Sequence, residues 1–378
     1  MTASRTPRRI ASVLASLGLA AALAPAAPPA RGGPSAQGPA LDGYRHVVDW
    51  TTRSVGGRVD WGQPAGLDVA PDDAIWVADG GADAVVRLDA GGALLGSWSA
   101  VRPAGASPAD VAFAPDPATG GRVFVLSRSG VEIRSAADGA VVGGWSQAGL
   151  TGIAVGADRR VYVARNATGP LGAEAAIDVH DIGGNRLATW QDAGFFVSDP
   201  RGLDVGADGT VYLGSGDGAV YVWREGAVKA LLRVRREIEG GPLVDVAADA
   251  QGRVFALQRT QGRDARLAGW NVTAANWDAG GVGSVYIEDV TARGALWLAV
   301  GPGSGLVASL IDGAFHGIGH LADRGDLGGD IVRWGAGDDT LGQLDAPIRL
   351  AVSSAGDVFI GDRLERVQRW ASDGTPRQ

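Results

Sequence analysis

Apolar residues in this chain come in short alternating bursts separated by glycine, aspartate and proline. The stretch GLDVAPDDAIWVADGGADAVVRLDAGGALLGSWS (66–99) is typical. Alternation of period two, bounded by turn formers, predicts β-strands, because successive side chains on a strand point to opposite faces. No window outside the N-terminal leader shows a helical period.

The same frame recurs seven times: LDVAPDDAIWVAD (67–79), VAFAPDPATGGRVFVLS (111–127), IAVGADRRVYVAR (153–165), LDVGADGTVYLGS (203–215), VDVAADAQGRVFALQ (244–258), EDVTARGALWLAV (288–300) and LAVSSAGDVFIGD (350–362). An aromatic holds one position throughout: Trp76, Phe124, Tyr162, Tyr212, Phe255, Trp297 and Phe359. An aliphatic residue always precedes it. Each copy reads as four strands. An LDV-type strand is followed by the aromatic strand, then by an alternating strand such as VVRLD (85–89). The fourth often closes on tryptophan (Trp98, Trp145, Trp190, Trp277). Four-stranded units of this length, stacked side by side, predict an all-β chain folded as a β-propeller of seven blades. The seventh copy stops after its third strand, so YRHVVDW (44–50) is expected to supply the fourth and close the ring. Extra length falls at 165–177, 190–200 and 322–346, where loops can carry binding residues.

Composition narrows the chemistry. The absence of cysteine excludes disulfides, thiolate metal sites and cysteine nucleophiles. Arg5, Arg8 and Arg9 precede the uncharged apolar stretch IASVLASLGLAAALA, and small residues follow. That order predicts a secretory signal peptide over 1–36 and an exported domain over 37–378, with no transmembrane span in the mature chain. Without Arg5, Arg8, Arg9 and Arg31, the net charge goes from −8 to −12. An acidic surface of this kind argues against nucleic acid as a partner.

The first and seventh copies, with the lead-in GAGDDTLGQLDAP (335–347), resemble NHL repeats. The other copies keep the hydrophobic frame, but copies 2, 3, 5 and 6 carry Ser127, Arg165, Gln258 and Val300 in place of the aspartate after the second strand. The resemblance implies a propeller, with six blades the alternative count. It also implies a surface offered to proteins or other ligands, and in a few related propellers a metal-dependent lactonase or lyase.

Candidate site residues are acids on the first strands, which should line the central tunnel. Asp68, Asp204, Asp245 and Asp289 align at one position, and Asp110 faces the same side two residues upstream of Ala112. Converging carboxylates repel unless paired, protonated or bridged by a cation. An oxygen-only set such as Asp204, Asp245 and Asp289 would favour Ca²⁺ over Zn²⁺. The competing reading is that each aspartate accepts backbone N–H groups from a neighbouring blade. The four histidines (His46, His180, His316, His320) offer no converging zinc set, and no nucleophile elbow is present. Trp61, Trp334, Asp338 and Asp339 are candidate partner contacts in loops outside the repeat frame. The expectation is a monomeric, non-catalytic binding or scaffold module for a protein or cell-surface ligand, with a Ca²⁺-dependent lactonase or lyase as the alternative.

Overall fold

The computed structural model describes residues 44–50, 62–100, 107–169, 172–191, 197, 199–233, 241–249, 252–259, 264–271, 285–293, 295–300, 306–312, 315–321, 332–334, 347–363 and 366–372. These lie in the unit Ala36–Gln378. Every regular element among them is a β-strand. No helix there is long and apolar enough to cross a membrane.

Strand β1 (Tyr44–Trp50) comes first. Blade 1 is β2–β5 (Pro64–Val69, Ile75–Asp79, Ala84–Leu88, Leu94–Ser99) and blade 2 is β6–β9 (Pro108–Ala114, Arg122–Ser127, Gly130–Ser135, Val141–Ser146). Blade 3 is β10–β13 (Leu150–Val155, Val161–Gly169, Gly172–His180, Arg186–Trp190) and blade 4 is β14–β17 (Leu203–Val205, Val211–Gly214, Ala219–Arg224, Ala227–Arg233). Blade 5 is β18–β21 (Leu243–Ala248, Arg253–Arg259, Asp264–Asn271, Val285–Arg293) and blade 6 is β22–β25 (Ala295–Val300, Leu306–Asp312, Phe315–Leu321, Val332–Trp334). The last strands are β26 (Arg349–Val352), β27 (Val358–Asp362) and β28 (Arg366–Ser372). Each group is an antiparallel sheet in chain order, and β26–β28 take β1 as their fourth strand, which makes seven sheets of four. Tyr44 lies opposite Ser372 and Trp50 opposite Val367, so the N-terminal strand closes the last blade as the sequence predicts. The first strands β2, β6, β10, β14, β18, β22 and β26 each meet the next, and β26 returns to β2. The result is a closed β-propeller, in which no blade has to bury its faces alone.

The frame aromatics explain the cohesion. Trp76, Phe124, Tyr162, Tyr212, Phe255 and Phe359 are all buried. Phe359 of blade 7 packs with Leu67, Ile75 and Leu88 of blade 1. Trp76 likewise joins Val111 and Val125 of blade 2, and Phe124 joins Ile153 and Val163 of blade 3. Each apolar cluster therefore straddles two blades, and truncating such an aromatic costs about 3–5 kcal/mol. The fourth-strand tryptophans add a second tie. Trp98, Trp145 and Trp190 lie against Gly139, Gly184 and Gly226, in the turn before the last strand of the following blade.

Two sequence expectations change. In the sixth copy, Val285–Arg293 is the last strand of blade 5, and Ala295–Val300, carrying Trp297, is the first strand of blade 6. The hairpin in which Asp312 faces Phe315 makes β23 and β24 adjacent, and this leaves Ala295–Val300 only the inner place. Trp277 lies outside the described residues. Second, β25 divides the stretch 322–346: Trp334 ends a fourth strand opposite Ile318, as the other rim tryptophans do, and is not outside the repeat.

Candidate functional site

The inner strands bring four of the five predicted acids to the tunnel. Asp68 lies opposite Trp76, and Asp204 lies opposite Tyr212. Asp110 lies opposite Leu126, and Asp245 opposite Leu257. Asp245 therefore matches Asp110, not Asp68: strand β18 continues through Ala247 and Ala248 before the turn, and Ala247 is the residue that faces Phe255. Asp289 sits on β21, opposite Ala268, in the outermost strand of blade 5 and away from the tunnel. Trp61, Asp338 and Asp339 lie outside the described residues.

The acids form two matching arrangements, between blades 1 and 2 and between blades 4 and 5. Asp68 accepts the N–H of Val69 at 2.8 Å and, through its other oxygen, the N–H of Phe113 on blade 2 at 2.7 Å. Asp204 accepts Val205 N–H at 2.8 Å and Ala248 N–H on blade 5 at 2.7 Å. Both belong to a Gly-Leu-Asp-Val segment (66–69, 202–205). The glycine lets the two backbones close up: a Cβ on Gly66 would fall 2.5 Å from Asp110 Cα, and one on Gly202 would fall 2.7 Å from Val246 N. At these two positions the aspartates fasten blade to blade.

A guanidinium balances part of the charge. Arg349 on β26 donates through Nε to the Ala65 carbonyl at 3.0 Å, and its Nη2 lies 4.0 Å from Asp110 Oδ2. Burial in the tunnel wall pushes the Asp68 carboxyl up to about 7, against the pull of the Phe113 and Val69 N–H groups, and the charges of Asp110 and Asp204 raise it further. Burial also lifts Asp204 to about 6. Asp110 is raised by burial despite Arg349. Among the described residues no three His, Asp or Glu side chains converge as metal ligands. The set Asp204, Asp245 and Asp289 is not assembled, since Asp289 is on the outer strand, so these residues do not fit a Ca²⁺ ion.

Other polar side chains act inside the frame. Asp79, buried after the second strand, accepts the N–H groups of Gly62, Gln63, Gly81 and Ala82 and so fixes its own loop. Buried His180 stacks on Trp145, with ring centroids 4.0 Å apart, and its Nδ1 lies 3.1 Å from the Gly184 carbonyl. His316 and His320 lie on strand β24.

The rim carries a feature that sequence reasoning passed over. Leu95, Val142 and Leu187 are 50%, 49% and 54% exposed. Each stands three residues before the fourth-strand tryptophan of its blade, in LLGSW, VVGGW and RLATW. The signal was present as an aliphatic residue recurring on the face away from the tryptophan.

No protein-family model and no curated protein matches the chain. Solved structures share its fold. A chain described as "Crystal Structure of Mitotic Checkpoint Complex" is 15% identical over 94% of this chain and 98% of its own length, with a TM-score of 0.59. A "Streptogramin B lyase structure" is 12% identical over 88% of this chain and 98% of its own, with a TM-score of 0.62. At these identities the likeness establishes the propeller and nothing finer.

Proposed function

We propose that this chain is an exported, NHL-like propeller that works as a non-catalytic binding or scaffold module for a protein or cell-surface ligand, and that it does so as a monomer. The observation that carries this reading is the repeated exposure of Leu95, Val142 and Leu187 at one rim position on three successive blades. Each stands at the register shift of its fourth strand with about half its surface in water, and a recurring apolar position of this kind favours a protein partner over a glycan. The tunnel acids support the same reading, because Asp68 and Asp204 each spend one oxygen on their own strand and the other on the neighbouring blade. The propeller is shared with a protein described as a lyase, but a Ca²⁺-dependent reaction here would need a ligand in place of Asp289.

The test uses the full chain as bait against exported proteins of its source, alongside Leu95→Ser/Val142→Ser/Leu187→Ser. The reading expects a partner retained by the parent and lost by the variant at unchanged melting temperature. Equal retention by both would overturn the rim as the contact. Metal-dependent turnover of a lactone panel would overturn the non-catalytic assignment.

A further inference from the structure

The fourth strand of each blade has a sheet partner on one side only. Its other side is an edge, whose backbone N–H and C=O groups can accept a strand from another chain. Strands β5 (LLGSWS) and β9 (VVGGWS) invite this, since neither carries a charge and residues 141–144 are all exposed. Yet the fourth strands break the row at one recurring place. Between the pairs Arg87–Gly96 and Leu88–Leu94, β5 holds one extra residue, Leu95. The extra residue is Val142 in β9, Leu187 in β13 and Lys229 in β17. Val47 in β1 and Ile287 in β21 hold the same register position. In β1, β5, β9 and β13 it stands three residues before a tryptophan, and in β17 three before buried Leu232. One extra residue interrupts the ladder, bends the strand and increases its twist.

The placing of these shifts separates two causes. If the blades only needed twist, shifts could fall in any pairing. Among the described residues, the pairings of second with third strands carry none. The shifts fall at first and fourth strands, the two edges of a sheet. Blade 4 adds a second device at the same spot. Lys229 is the only lysine in the chain and is exposed there, and a lysine on an edge strand also discourages pairing. We infer that the fourth-strand bulges keep the outer edges from adding a strand of a second copy of this chain, so that the rim meets a partner through side chains and not through backbone pairing. A straight incoming strand finds no more than 96–99 of β5 or 143–146 of β9 in line. This holds whichever protein the rim receives.

Deleting Val142 from the full chain tests it. Residues 141 and 143 become neighbours, still opposite Arg134 and Ile133, and β9 becomes an unbroken edge. The deletion also removes an exposed aliphatic side chain, so association cannot come from added apolar surface. In sedimentation the parent should run as a single chain at every concentration, whereas the deletion variant should double in mass, or more, as it is concentrated. Val142→Ser keeps the extra residue and should stay a single chain. Deletion of Leu95 repeats the test in blade 1. A folded deletion variant as monomeric as the parent overturns the inference, and so does equal association of Val142→Ser. If neither deletion variant folds, hydrogen exchange of the concentrated parent decides. Amides of β5 and β9 should exchange as they do in dilute solution, and protection that grows with concentration would refute the guard.

Discussion

Replacing Gly139 with alanine isolates the tie between a rim tryptophan and the following blade. Gly139 has φ of 72°, in the left-handed region that an alanine enters only at a cost of about 1–2 kcal/mol. The added Cβ would also fall 1.9 Å from Trp98 Cε2, so the indole has to leave its seat. Trp98 stacks on Trp76 with ring centroids 5.7 Å apart, a pairing whose loss costs about 0.5–1.5 kcal/mol. Since Trp98 is only partly buried, its lost packing adds roughly 1–2 kcal/mol, below the 3–5 of a fully buried tryptophan. The whole change comes to about 3–5 kcal/mol. Gly120 supplies the control: its φ is 81°, and a Cβ there meets nothing within 4 Å, so Gly120→Ala should show the backbone cost alone. Urea midpoints of both variants give the difference, and a Trp98→Ala background should shrink it to near zero. If Gly139→Ala and Gly120→Ala lose stability equally, or the gap survives without Trp98, the seat does not tie the blades.

Removing Tyr44–Trp50 strips blade 7 of its fourth strand and leaves β28 as an open edge. Stability should fall by roughly 3–6 kcal/mol by denaturation, with partial recovery on adding the peptide YRHVVDW. Asp178→Ala should cost about 1–3 kcal/mol, because it removes the buried carboxylate that accepts from the part-exposed Arg165, Thr189 and Gln147. Burial pushes Asp178 up, but hydrogen bonds from Arg165, Thr189 and Gln147 outweigh it and hold the group below its ordinary 3.8. Its contribution is present above that ordinary value and is lost as pH falls through the depressed one, so Asp178→Asn should flatten the acid limb of a stability profile.

Much of this architecture is legible in the chain because the repeat is a packing rule. An aromatic between neighbouring blades must recur at the same place, and its aliphatic predecessor must recur with it, so the seven copies and the closing role of 44–50 can be read from pattern alone. The sixth copy resists because Val285–Arg293 and Ala295–Val300 are separated by one residue and both alternate. Which of them is the inner strand depends on the pairing of β23 with β24, a contact that no local pattern carries. Asp289 was misplaced for that reason. Asp245 was misplaced by two residues because Val-Asp-Val imitates Leu-Asp-Val while its strand runs on to Ala248. The role of the tunnel acids lay between two stated alternatives, and the choice rests on where the N–H groups of Phe113 and Ala248 point.

Several departures from the repeat trade a contact inside one blade for a contact between two. In blade 1 the aspartate after the second strand, Asp79, fixes its own loop. Blade 3 has Arg165 there, and it pairs at 2.6 Å with buried Asp178, which also accepts from Gln147 at the end of blade 2 at 2.8 Å. A cap internal to one blade has become a tie between two. The turns after the first strands show the same exchange. Gly209, Gly252 and Gly356 take positive φ there, yet Asp73 and Arg159 occupy the equivalent places in blades 1 and 3 at φ of 58° and 62°. Both reach the preceding blade: Ser354 Oγ of blade 7 donates to Asp73 at 2.9 Å, and Arg159 donates to Asp116 of blade 2 at 3.1 Å. A strained backbone persists where surrounding contacts over-determine it. At Arg165, Asp73 and Arg159 a departure from the consensus therefore goes with a polar contact across a seam, whereas Ser127 and Gln258 donate to carbonyls of their own blades, and the aromatic frame that sets blade spacing stays constant. The ring thus gains polar ties at single seams on top of the aromatic packing that every blade shares, while Leu95, Val142 and Leu187 stand at the register shifts of their fourth strands, outside that packing.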